Sequence, residues 1–288
     1  MAVGTRQPQI NTLNPPLARA PGDDAVEAQL GRRRGWRRYE STLIGTVSVL
    51  LVLAIWQVVA MLRLVPELFL PGPLDIANAL VNLVRGGTIW RDISVSGQEL
   101  IAGYALSIVV GLPMGLLMGW YRRLSFAIDP FVNFLYSTPR IALIPLLIIW
   151  FGIGIASKIA VVFLGAVFPI LINTQSGVRN LDGNLLNVAR SYGASDVQIF
   201  RTVALPGSVP FILSGLRLGV GHALIGVVVG ELVGATAGIG LMMSTAGSTF
   251  QTSKVFAGLF IIAGAGLLLT YGIQRIERRF QAWRPSPQ

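Results

Sequence analysis

Long apolar runs leave this chain few folds to adopt. The first covers residues 43–62, with Gln57 its one polar residue of note. At 1.5 Å per residue it fits a hydrocarbon core of roughly 30 Å. A second runs from Gln98 to Trp120. A third, Phe126 to Phe151, is interrupted by Pro130, Pro139 and Pro145 and reads as one kinked crossing, since each proline frees a backbone carbonyl that neighbours or a cavity must satisfy. After Gly152-Ile153-Gly154 a fourth extends from Lys158 to Ser176, a fifth from Ser208 to Leu232 and a sixth from Val255 to Ile273. The chain is 53% hydrophobic and 12% charged over 288 residues, with mean hydropathy +0.65. That is too little polar surface to cover a soluble core. The fold class expected is an all-α membrane protein with about six transmembrane helices.

The segments between the runs fix the organisation. Residues 1–40 are rich in Pro, Asn, Gln, Asp and Arg and lack an apolar period, which reads as a disordered tail ending in the basic cluster Arg32, Arg33, Arg34, Arg37 and Arg38. The run that follows exceeds a signal-peptide core and no A-x-A site follows it, so it reads as a retained helix. Residues 41–280 form the transmembrane domain and 281–288 a short C-terminal tail. Leu70-Pro71-Gly72-Pro73 precedes an amphipathic stretch, Asp75–Val84, that reads as an interfacial helix, and 233–253 reads as a Gly- and Ser-rich loop. With six crossings and the N-terminus inside, both termini are cytoplasmic. The inner segments then hold the N-terminal arginines, Arg122, Arg123, Arg179, Arg190, Arg201 and the C-terminal arginines. The outer ones hold only Arg63, Arg85, Arg91, Lys158 and Lys254. This is the bias the positive-inside rule requires.

Several chemistries are excluded. There is no cysteine, so disulfides, thiolate metal sites and thiol catalysis are absent, and the one histidine, His222, rules out a multi-histidine metal site. His222 reads as a packed polar residue of the fifth run. The net charge of +10 gathers at the ends of apolar runs rather than on a basic face, so a membrane and not a nucleic acid is the partner implied. No H-E-x-x-H and no paired carboxylates point to catalysis. No phosphate-cradling G-x-x-x-x-G-K-[ST] is present either: from Gly152 to Lys158 a serine, Ser157, stands where glycine is needed.

Small residues recur along two runs: Gly103, Ser107, Gly111, Gly115 and Gly119 on the second, and Gly215, Gly219, Ala223, Gly226, Gly230 and Gly234 on the fifth. Such ridges let helix backbones approach closely, and packing within one subunit is favoured over a subunit interface. Arg140, Arg217 and Glu231 fall at or near membrane depth, and Glu99 opens the second run. An unpaired charge facing lipid costs about 2.5–3.5 kcal/mol. Arg217 therefore reads as an interhelical or interfacial ion pair. Arg140, beside Pro139, balances between such a pair and a residue lining an anion pathway with Pro139 and Pro145.

The polar segment 177–207 is the most informative. Leu185–Arg190 has helical character, Gly193 separates it from a second helix starting at Ala194 or Ser195 with Asp196 in its first turn, and Pro206 is expected to stop that second helix. Helices this short need a docking surface, and a soluble cytoplasmic partner is the natural one. The wording here resembles the permease subunits of binding-protein-dependent ABC importers, whose cytoplasmic motif is E-A-A, three residues, G, nine residues, then I-x-L-P. Asn187-Val188-Ala189 stand at the E-A-A position, Gly193 at the glycine and Val203-Ala204-Leu205-Pro206 at the end. Asn187 and Val188 depart from the motif. The run Ala189-Arg190-Ser191-Tyr192-Gly193 is similar to the branch that imports nitrate, sulfonates and taurine, and the resemblance covers roughly residues 40–280.

That resemblance implies the type I importer fold in a multi-pass protein of the bacterial inner membrane. It implies a homodimer of permeases, cytoplasmic ATP-binding subunits that use ATP and magnesium while this chain binds no cofactor, and a periplasmic solute-binding protein. It assigns ATPase coupling to Asn187, Ala189, Arg190, Ser191, Tyr192, Gly193, Ala194, Leu205 and Pro206. The chain is then a transport subunit and not an enzyme, and the solute is a small oxyanion such as an aliphatic sulfonate, taurine or nitrate. Another small organic solute, such as a pyrimidine precursor, stays open, as does an autonomous secondary transporter, although no inverted repeat is visible.

Overall fold

The computed structural model describes residues 23–279, with side chains for Glu40 and from residue 42 onward. Residues 1–22 of the tail expected over 1–40, and the whole tail expected over 281–288, lie outside the described residues. The chain divides into two units, through Val58 and from Val59. The first holds all but the last turn of helix α1 (Asp23–Met61), whose start falls inside the stretch read from composition as a tail. Its portion Thr42–Met61 is long and apolar enough to cross a membrane.

The regular structure of the second unit is all helix among its described residues. Helix α2 (Pro73–Arg85) carries the amphipathic stretch; Pro73 opens it and the Asp75 carboxylate accepts from the Gly72 N–H at 3.0 Å. Helix α3 (Thr88–Trp120) contains the second run, with ten further residues ahead of Gln98. The third run differs from expectation. It is two helices, α4 (Arg122–Ser137) and α5 (Arg140–Phe151), meeting at 100° and not at a mild kink. Pro139 has no N–H to continue α4, and it holds Thr138 extended (φ −72°, ψ 130°). Counted as one broken crossing, the pair brings the candidates to six.

Helix α6 (Ile155–Arg179) is the centre of the unit. Apolar residues surround it on every side, as in a helix buried within a protein, and most of its apolar stretch is buried, whereas the last helix is largely uncovered. It lies between α3 and α9 (Leu205–Glu231), and the small-residue ridges explain how. A Cβ at Gly103 would come within 2.6 Å of Val162, and one at Gly115 within 2.6 Å of the Leu171 carbonyl. A Cβ at Gly215 would meet Asn173 at 2.9 Å and one at Gly226 the Val162 Cα at 3.0 Å. Both stripes therefore pack on α6 within the subunit. Val162, Ala166, Ile170, Ala223 and Val227 interlock in the space so gained.

Two further expectations change. Pro206 does not stop a helix. Helix α8 (Asp196–Ile199), a π turn over Phe200–Ala204 and α9 run as one helix, Asp196–Glu231. The Leu205 N–H donates to the Phe200 carbonyl, five residues back, so the chain widens by one residue just where Pro206 removes a donor. The supposed loop 233–253 contains helix α10 (Ile239–Ser248), which precedes α11 (Thr252–Arg279). Its glycines and serines hid a helix that is capped from a distance.

Candidate functional site

Between α6 and α8 stands α7 (Gly183–Ser191), and the segment makes its own hydrogen bonds. The Asp182 carboxylate accepts the Asn184 N–H at 2.8 Å, a local N-cap. At the other end Gly193 takes φ +76°, the left-handed conformation a side chain would strain. The Gly193 N–H donates to the Arg190 carbonyl at 2.9 Å and the Ala194 N–H to the Ala189 carbonyl at 3.1 Å, the paired bonds of a Schellman end. Ser195 then caps α8 reciprocally with Gln198: the Ser195 N–H donates to Gln198 Oε1 at 2.8 Å and the Gln198 N–H to Ser195 Oγ.

With its backbone satisfied, α7 projects its side chains outward. Leu185, Val188 and Tyr192 follow the i, i+3, i+7 spacing of one face and are exposed, Tyr192 to 88%. Asn187, Arg190 and Ser191 are exposed too, and Ala189 and Ala194 are half-buried. Leu205 and Pro206 sit apart from this group. They open α9, and Leu205 packs with Trp120, Phe200 and Leu181 around Leu116, Val178 and Ile212.

The last turns of α6 are tied to α4. Asp129 accepts from Ser125 at 2.6 Å, from Gln175 at 2.9 Å and from Arg179 at 3.1 Å, and Arg179 also donates to Ser125. Beside this clamp a cavity of about 630 Å³ opens between Trp120, Arg122, Arg179 and Arg190.

Arg140 sits at the break between α4 and α5, half-buried. Its guanidinium donates to the Gly165 carbonyl of α6 at 3.3 Å and stands 5.7 Å over the Tyr136 ring. Pro139 and Pro145 are exposed. Arg217 pairs with Glu277 across α9 and α11, and His222 bonds its own helix at the Leu218 carbonyl, 3.0 Å away.

One group escaped the sequence reading. Lys158, taken for a loop charge, is 2% exposed in the first turn of α6 and donates to the Gly234 carbonyl at 2.9 Å. Glu99 and Glu231 lie near it, and Ser96 donates to Glu231; all three are buried. Asp92, Ser96 and Glu99 follow the i, i+4, i+7 spacing on an apolar helix, the signal that would have joined them.

The family described as the binding-protein-dependent transport system inner membrane component matches residues 107–282. A putative aliphatic sulfonates transport permease protein, SsuC of Bacillus subtilis, is 37% identical over 91% of this chain and 94% of its own length. The taurine transport system permease protein TauC of Escherichia coli is 34% identical over 89% and 96%. Among solved structures, the MetNI methionine ABC transporter in an inward-facing conformation aligns with TM-score 0.61 and 22% identity, over 67% of this chain and 96% of that one. The resemblance read from residues 187–206 is thus borne out, and the chain belongs to the inner-membrane components of binding-protein-dependent transport systems, the permease subunits of ABC transporters.

Proposed function

We propose that this chain, as a homodimer with both termini in the cytoplasm, moves a small sulfonate-type oxyanion inward through the bacterial inner membrane. Separate cytoplasmic subunits bind ATP and magnesium and supply the energy, and a periplasmic protein delivers the solute. The observation that carries the reading is α7. It is a self-capped helix with an exposed Leu185–Val188–Tyr192 stripe, held between the two innermost helices. A stripe of this kind fits a partner's groove, and its displacement would tilt α6 and α9 together. The solute class rests on the sulfonate and taurine permeases this chain is similar to. The pathway runs past the α4–α5 break, where Arg140, Pro139 and Pro145 lie.

Co-reconstitution with an ATP-binding subunit and a periplasmic solute-binding protein tests the proposal. ATP-dependent uptake of taurine or an alkanesulfonate should require all three components. Because the chain lacks cysteine, Tyr192→Cys gives a unique thiol that should crosslink to the ATP-binding subunit. Uptake by this chain alone, or no crosslink in an active complex, overturns the reading. Within it, Arg140→Gln should cut sulfonate uptake by about tenfold, the worth of one charge-assisted hydrogen bond, and unchanged uptake removes Arg140 from the pathway.

A further inference from the structure

Helix α10 has no cap of its own. Gly238, at its N-cap, has no side chain to fold back, and the three residues that begin the helix turn their N–H groups toward other helices. The Gly238 N–H donates to Asp92 Oδ1 at 2.9 Å and the Ile239 N–H to Ser96 Oγ at 2.9 Å, both acceptors on α3. The Gly240 N–H donates to Glu231 Oε2 at 2.5 Å, from the last residue of α9. Ser96 Oγ, while accepting from Ile239, donates to Glu231 Oε1. On the near side of the turn the Lys158 ammonium, from the first turn of α6, holds the Gly234 carbonyl. The three leading N–H groups of α10 are thus taken up by α3 and α9, and the turn that precedes the helix is held from α6.

The backbone is shaped to permit this. Gly238 has φ +128°, and a Cβ there would run into the Glu231 carboxylate. A Cβ at Gly240 would meet the same carboxylate at 2.9 Å. The two glycines leave room for one buried acid between the turn and the bundle. Glu231 is 0% exposed and Glu99 beside it 2%.

The location gives the arrangement its meaning. Helix α6 ends, and α9 is continuous through α8, at the segment that carries α7; their opposite ends are Lys158 and Glu231. With 25 and 27 residues these helices reach about 37–40 Å from α7 to the latch. We propose that Glu231, with Asp92, Ser96 and Lys158, is a positioning latch that makes α10 move with the far ends of α6 and α9. A displacement at α7 is then delivered to α10, on the opposite face of the membrane, without a flexible joint between them. The inference rests on the transport reading for its role in solute movement, but the latch itself does not.

The test uses Glu231→Ala and Glu231→Gln in the full chain. Glutamine keeps an oxygen for the Gly240 N–H and an amide to donate to Ser96, so it should restore what alanine removes. In the purified chain, Glu231→Ala should speed amide exchange at residues 238–242 by at least about tenfold, as expected for a lost buried hydrogen bond, while residues 183–191 keep their rate. Glu231→Gln should stay near the parent. In the reconstituted transporter, Glu231→Ala should lower the amount of solute moved per ATP hydrolysed, and Glu231→Gln should recover it. Unchanged exchange at 238–242 overturns the latch. Faster exchange with an unaltered ratio of solute to ATP overturns its role in coupling. A role in folding alone would raise exchange in both segments and lower uptake and hydrolysis together. Should Glu231→Ala not fold, Ser96→Ala breaks the same turn from α3 and is read by the same measures. Exchange needs neither partner nor solute, so it reports on the latch even if the transport reading fails.

Discussion

Two short helices of nearly equal length, α7 with nine residues and α10 with ten, are built in opposite ways. Helix α7 carries its caps in its own flanks: Asp182 before it, Gly193 after it and the Ser195–Gln198 box at the next start. It buries no residue completely. Helix α10 has no local cap and buries Ile239, Gly240 and Ala246. Its leading turn is held by side chains up to 146 residues away in sequence. Helices of this length are marginal alone, so each needs support. The first leaves an apolar stripe, Leu185, Val188 and Tyr192, exposed. The second is bolted to the chain's own innermost helices.

The contrast can be broken most sharply at Lys158. Lys158→Met leaves the Gly234 carbonyl without its donor and Glu99 and Glu231 without their nearby positive charge. Leaving a buried polar group unsatisfied costs about 1–3 kcal/mol, and more where the lost donor was charged. The thermal midpoint of the detergent-purified protein should fall by many degrees, and a midpoint close to the parent's would show that the cluster is not held by its charge.

A matched pair of serines sharpens the comparison, because Ser96 and Ser195 both cap the start of a helix. Ser96→Ala strands the Ile239 N–H and removes a donor from Glu231, both buried, at about 1–3 kcal/mol for each group left unsatisfied. Ser195→Ala exposes its orphan N–H to water and should cost about 1 kcal/mol. Thermal melts of the two variants should differ clearly, with Ser96→Ala the lower. Equal midpoints would mean that the α10 turn rehydrates when its cap is lost.

The same division decides what was legible in the sequence. The crossings at 43–62, 98–120, 158–176, 208–232 and 255–273 follow from apolar length, and the motif around Gly193 from local spacing. In both cases the cause lies within a few residues of its effect. The glycine ridges were legible as well, because a four-residue repeat reports a helix face directly. The 100° break at Pro139 was visible only as proline content: whether such a chain kinks or divides depends on neighbours. Pro206 misled for the opposite reason, since a π turn absorbed the missing donor. Helix α10 stayed hidden because its caps, Asp92, Ser96 and Glu231, belong to helices far off in sequence. Lys158 looked like a loop charge because its acceptor, the Gly234 carbonyl, carries no sequence signal at all.

The gentlest perturbation bears most directly on α7. Tyr192 is 88% exposed and lies on the stripe with Leu185 and Val188, so within this chain it supports nothing that alanine would disturb. Tyr192→Ala should leave the melting curve in place, because exposed substitutions stay within about 0.5 kcal/mol. If a partner's groove covers the stripe, the same change removes a large aromatic anchor. The apparent Kd for purified ATP-binding subunits, measured by titration in detergent or nanodiscs, should then rise by about tenfold. Val188→Ala, a smaller side chain on the same face, should weaken binding less, and Glu231→Gln, at the far end of α9, should not alter it. A shift in the melt would mean that α7 is held by the bundle as α10 is, and unaltered binding would mean that the exposed stripe meets no partner. Weaker binding with an unmoved melt is the combination that a self-capped helix, stable by its own flanks and gripped from outside, has to give.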